Sequence, residues 1–89
     1  MAEKTYNVQK RGAAQLITNQ KKYYLLDIAS MSDEDYVIVS QLITVNLAKC
    51  VDLDNAAEYA VTVSEDNKIA IDAAEGASND HVLIVAVGV

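Results

Sequence analysis

The chain has 89 residues, 52% hydrophobic and 22% charged, with a net charge of −6; this is one domain's length and a globular composition, which excludes a two-domain architecture and a disordered chain. A single cysteine, Cys50, excludes an intramolecular disulfide and a thiol-based zinc site. No apolar run is long enough to span a bilayer, and the first residues are polar where a secretory signal needs an apolar stretch, so a soluble protein made in the cytosol is expected.

Residues 1–22 carry Lys4, Lys10, Arg11, Lys21 and Lys22 against Glu3, whereas residues 23–89 carry Lys49 and Lys68 against twelve acidic side chains. The leading segment reads as a basic, solvated N-terminal arm, or as a first short strand over 6–9, ahead of a single β-rich domain over 23–89. As an arm it would lie on an acidic neighbour, and its removal would leave the rest folded. Residues 23–28 form the next candidate strand, and 30–35 an acidic turn. The aromatic inventory is five tyrosines without Phe or Trp, rings that pack against a core while the hydroxyl reaches water or a partner.

Residues 36–53 are rich in β-branched side chains, with apolar residues at 43, 45, 47, 51 and 53. Two strands with a bend near Ser40-Gln41, or one long strand with a bulge near Lys49, both satisfy the pattern. Asp54 could cap one helical turn through Glu58. In residues 59–72 the period-two alternation of Tyr59, Val61, Val63, then Ile69 and Ile71, marks a β-hairpin. A three-residue loop of Glu65, Asp66 and Asn67 pairs Val63 with Ile69, Val61 with Ile71 and Ser64 with Lys68, keeping one face apolar. That loop needs a left-handed residue, for which Asn67 is the candidate.

Residues 73–80 are small and polar, a surface loop. The run over 81–89 is apolar on both faces, with Leu83, Val85, Val87 and Val89 on the bulkier one, and is expected as a central strand covered on both sides. Its last residues should be paired in a sheet or buried against a neighbouring chain. About six strands and no convincing helical period give an all-β fold, a small β-barrel or two-sheet sandwich with a C-terminal hairpin and a central last strand.

Chemistry leaves few traces. His81 beside Asp80 and near Ser78 is not a triad, because neighbours on a strand point to opposite faces. Cys50 beside Lys49 fits a buried packing residue better than a reactive thiol. Asp33-Glu34-Asp35 and the Asp52, Asp54, Asn55 group offer oxygen ligands for a hard cation but read first as solvated acidic turns. Gly12, Gly76 and Gly88 are too dispersed to cradle a phosphate. The acidic body argues against nucleic-acid binding, although Lys10-Arg11 and Lys21-Lys22 with Tyr23 and Tyr24 could touch a backbone. The expectation is a protein without catalytic activity, cofactor or metal, with neither a nucleic-acid nor a membrane partner.

The pattern Val61-Thr62-Val63-Ser64-Glu65-Asp66-Asn67-Lys68-Ile69-Ala70-Ile71-Asp72, a small-residue loop, then His81-Val82-Leu83-Ile84-Val85-Ala86-Val87-Gly88, resembles the closing hairpin and last strand of small structural proteins of tailed bacteriophages, of the capsid decoration (cement) type. The resemblance covers about the last thirty residues. It implies a virion component bound to the major capsid protein or another virion protein on the outside of a phage head, with homo-oligomer or lattice contacts. No family residue roles carry over. From the charges and the apolar terminus, the candidate partner-binding residues are Lys4, Lys10, Arg11, Lys21, Lys22, Tyr23, Val87 and Val89. A tail, neck or fibre-associated adaptor, and a small ligand-binding or hydrolytic β-barrel using Cys50 and His81, are the alternatives.

Overall fold

The computed structural model describes residues 2–15 and 20–89; residues 1 and 16–19 of the basic leading segment lie outside it. The described chain is all-β. Its strands are β1 (Asn7–Gln15), β2 (Gln20–Met31), β3 (Tyr36–Ile38), β4 (Val45–Asp52), β5 (Ala57–Tyr59), β6 (Val61–Ser64), β7 (Lys68–Ile71) and β8 (Asp80–Gly88). They form two antiparallel sheets, a five-stranded one in the order β1-β2-β8-β4-β5 and a three-stranded one in the order β3-β7-β6. The barrel is not closed: β1 and β5 are the ends of the larger sheet.

The smaller sheet supplies Val37, Ile69 and Ile71 to a core completed by Leu26, Ile28, Met31, Cys50, Val82, Ile84 and Ala86 from the larger one. Strand β8 is the middle of five, as its apolar character required. Only one of its faces is covered, however. Val82, Ile84 and Ala86 are buried, while Val85 on the bulkier face is 38% exposed.

The hairpin has the expected register, Val61↔Ile71, Val63↔Ile69 and Ser64↔Lys68. The left-handed residues of its loop are Glu65 (φ 49) and Asp66 (φ 69) instead of Asn67. Asn67 is engaged elsewhere: its carbonyl accepts from Val39 N at 2.9 Å, and its amide nitrogen reaches the carbonyls of Val39 and Leu42, each at 3.4 Å. Residues 36–53 are two strands with a turn around Ser40-Gln41, and the bulge falls between Val45 and Leu47 instead of near Lys49. Asp54 caps no helix. The Asp52 carboxylate accepts from the backbone N–H groups of Asp54 (2.9 Å) and Asn55 (3.0 Å), and Ala56 turns left-handed at φ 52, so the chain folds straight back into β5.

The leading segment is built into the fold. Lys4 N donates to Tyr36 O at 2.8 Å and Tyr36 N to Ala2 O at 3.0 Å, laying the first residues along β3. Strand β1 runs to residue 15, well past the expected 6–9, because all of it pairs with an equally extended β2. Tertiary pairing here overrides the weak strand propensity of Lys10-Arg11-Gly12-Ala13-Ala14. Removing residues 1–22 would therefore remove one strand and open another.

Candidate interaction surface

The outer face of the larger sheet, turned away from the core, is organised in three rows set by the strand registers. Asn7, Asp27, Leu83, Val51 and Glu58 form the first. Lys10, Leu25, Val85 and Lys49 form the second, and Gly12, Tyr23, Val87 and Leu47 the third. Leu47 (52%), Val51 (41%), Val85 (38%) and Tyr23 (36%) stay exposed. The pattern is apolar on β8, apolar with one charge each on β2 (Asp27) and β4 (Lys49), and polar on β1 and β5. A contiguous apolar patch of this kind, rimmed by polar groups, marks an interaction surface where scattered apolar residues would not.

Of the partner-binding candidates, Lys10, Tyr23 and Val87 lie on this face. Val89, 40% exposed, follows β8 and is held by its backbone to Ile43 (2.7 Å) and Thr44. Arg11 and Lys22 lie on the other side of the β1–β2 pair, where with Gly12 and Tyr24 they line an open basic groove of about 430 Å³, similar in size to the shallow groove of about 390 Å³ beside Tyr59. Lys21 donates to Asn46 Oδ1 at 2.7 Å, tying β2 to β4. Lys4 instead sits 3.8 Å from the Asp35 carboxylate and is used internally. Sequence reasoning missed Leu25, Leu47 and Val51 as surface residues. The signal was present in the odd-numbered apolar series: beyond the bulge that follows buried Val45, Leu47 and Val51 face outward.

The catalytic alternatives are dispersed. Cys50 is on the inner face, and burial, reinforced by the Asp52 and Glu75 charges, pushes its thiol up to about 12. His81 is at the outer face, where its Nε2 meets the Asp27 carboxylate, which also accepts from Gln9 Nε2 at 2.9 Å. The sheet separates the two.

Both acidic groups lie in turns with Glu34, Asp54 and Asn55 exposed, and several of their carboxylates also serve as structural acceptors. Asp33 accepts from Gly76 N (3.0 Å) and Ala77 N (2.9 Å), and buried Asp35 from Ala2 N (3.0 Å) and Ser32 N (2.9 Å). Asp52, Asp54 and Asp80 bring carboxylate oxygens within 4.8 Å of one another. Asn55 Nδ2 bridges Asp52 (3.0 Å) and Asp80 (2.8 Å), and Asp54 accepts from His81 N (2.9 Å). A hydrogen bond to Asp52, together with burial, raises the Asp80 carboxyl above the ordinary range. Burial pushes Asp52 the same way, but the hydrogen bonds from Asp80, Asn55 and Tyr59 outweigh it and hold Asp52 low. The trio locks the β4–β5 turn onto the start of β8.

Compared with protein families, curated proteins and solved structures, the chain matches none.

Proposed function

We propose that this protein is a non-enzymatic structural component of a tailed-phage particle, a capsid-decoration protein that binds the outer surface of the head and stabilises it. The observation that supports a surface role is the outer face itself: an ordered five-stranded sheet offers solvent an apolar centre, while Asp33, Asp52 and Asp54 hold turns. The sequence style of the last thirty residues supports the virion setting. In this reading the basic groove of Arg11 and Lys22 lies against an acidic patch of the major capsid protein, and a symmetric lattice multiplies weak individual contacts.

The test is co-sedimentation of the purified protein with undecorated heads of the phage that encodes it. Saturable binding at a fixed copy number, weakened in Arg11→Glu and Lys22→Glu variants and by added salt, is expected. Absence of binding to heads overturns the capsid role, and binding at a few copies per particle assigns the protein to the neck or tail.

A further inference from the structure

We propose that the outer face of the five-stranded sheet is the interface of a symmetric dimer, closed by a second copy of this chain with a two-fold axis running along β8. The inference rests on the assembly role proposed above, and its test uses the isolated protein, so that loss of the dimer and loss of capsid binding are read separately.

Three observations name the occupant. First, β8 is apolar on both faces, a pattern that belongs to a strand covered twice, and its own chain covers it once. Second, β8 is the middle strand and the face is balanced about it. Across β8, row by row, Tyr23 on β2 answers Leu47 on β4, Leu25 answers Lys49 and Asp27 answers Val51, and polar β1 answers polar β5. A two-fold axis along β8 sets Val85 against Val85, Tyr23 against Leu47, and Asn7 against Glu58 of the other copy. Each copy thus supplies the hydrophobic centre and polar rim that the other requires.

The third observation is charge. With that axis Lys49, paired within its own copy with Glu58 at 3.6 Å, covers Leu25 of the other copy with its aliphatic stem; this pair then lies one row from Asp27, which is held by its own His81 and Gln9, and one row from Lys10. An axis across the strands would set β1 on β1 and stack Lys10 near its own copy, so the charges select the axis along β8. Four strands about 27 Å long and the three-residue β5, at a spacing of about 4.8 Å, give about 550 Å² in projection. That approaches the ~800 Å² of accessible surface that each partner contributes to a standard specific interface.

Sedimentation equilibrium over a wide concentration range tests the proposal. The wild type should show a monomer–dimer equilibrium, and Val85→Lys should raise the dissociation constant about tenfold or more while keeping the β-sheet circular dichroism spectrum. A conservative variant guards against misfolding: Val85→Cys should cross-link to itself with a bifunctional maleimide of about 10 Å reach, the spacing of packed sheets. Buried Cys50 leaves the unsubstituted chain uncross-linked as a control. A chain that stays monomeric at every concentration overturns the proposal, as does a dimer that neither weakens in Val85→Lys nor cross-links through residue 85.

Discussion

Tyr23 lays its ring across Gly12 of the neighbouring strand: a β-carbon on residue 12 would stand 2.6 Å from Tyr23 Cε2 and 2.7 Å from its Cζ. The missing side chain on β1 lets the ring lie flat on the outer face, an aromatic covering a strand glycine.

Replacing Gly12 by Ala should move that ring without unfolding the protein. The colliding atoms are the far end of a side chain at the surface, so the ring can swing outward. The gain in strand preference over glycine offsets the lost contact, and stability should change by less than about 1 kcal/mol. In nuclear magnetic resonance spectra the Tyr23 ring signals should shift while the urea midpoint stays nearly constant. Loss of cooperative unfolding would show that the ring is locked by more than its contact with residue 12.

Ile84 and Val85 are adjacent in β8 and should respond oppositely to truncation. Ile84 is fully buried and Val85 is 38% exposed. Ile84→Ala should cost about 2–5 kcal/mol by lost burial and the cavity left behind. Val85→Ala in the monomer should cost less than about 1 kcal/mol. Urea denaturation at low protein concentration measures both. Equal losses would mean that the outer face is packed within the chain.

Parts of this arrangement were legible in the sequence because they are local. In the 61–71 hairpin an alternation with one polar and one apolar face leaves a single register that keeps the faces apart. Strand β8 offered no such parity: apolar on both sides, it announced a central position but not which face the second sheet would cover. The odd-numbered bulk of Leu47 and Val51 left the core face of β4 open for the same reason, and it is small Ala48 and Cys50 that face the core. Strand β1 was illegible beyond residue 9 because its stability comes from pairing with β2. The roles of Asp33, Asp35 and Asp52 depend on partners brought in by folding, Gly76 and Ala77 for Asp33 and Asp80 for Asp52, which sequence adjacency could not supply.

The opposed shifts of Asp52 and Asp80 predict a pH signature. Asp80 binds its proton more tightly folded than unfolded, so its contribution is favourable at low pH. That contribution is lost as pH rises from the unfolded value, about 3.9, through the raised folded one. Asp80→Asn keeps an acceptor for Asn55 and supplies a permanent donor to Asp52. The variant should therefore melt above the wild type at neutral pH, the two curves converging as pH falls towards the unfolded value. Asp52, held low, acts in the reverse sense: its contribution is present above the unfolded value and disappears as pH falls through its folded one. Asp52→Ala should accordingly be destabilised at neutral pH, by about 1–3 kcal/mol for the turn donors left unsatisfied. Thermal melts of the three proteins across the acid range decide the matter; an Asp80→Asn advantage that does not narrow in acid would remove the shared proton from the account.

The Asp35 carboxylate fastens the chain's first residues to the small sheet, and its loss should open that sheet's edge first. It is 6% exposed and accepts from both Ala2 N and Ser32 N, with Lys4 Nζ 3.8 Å away. Asp35→Ala leaves those donors without their acceptor and should cost about 1–3 kcal/mol. The damage should begin locally, because the backbone bonds between Tyr36 and residues 2 and 4 depend on the same clasp. Hydrogen exchange should therefore speed up at Lys4 and Tyr36 before it does at β8, whose amides lie in the middle of the larger sheet. Uniform acceleration across both sheets would mean that the two unfold as one unit and that the clasp is not a separate element.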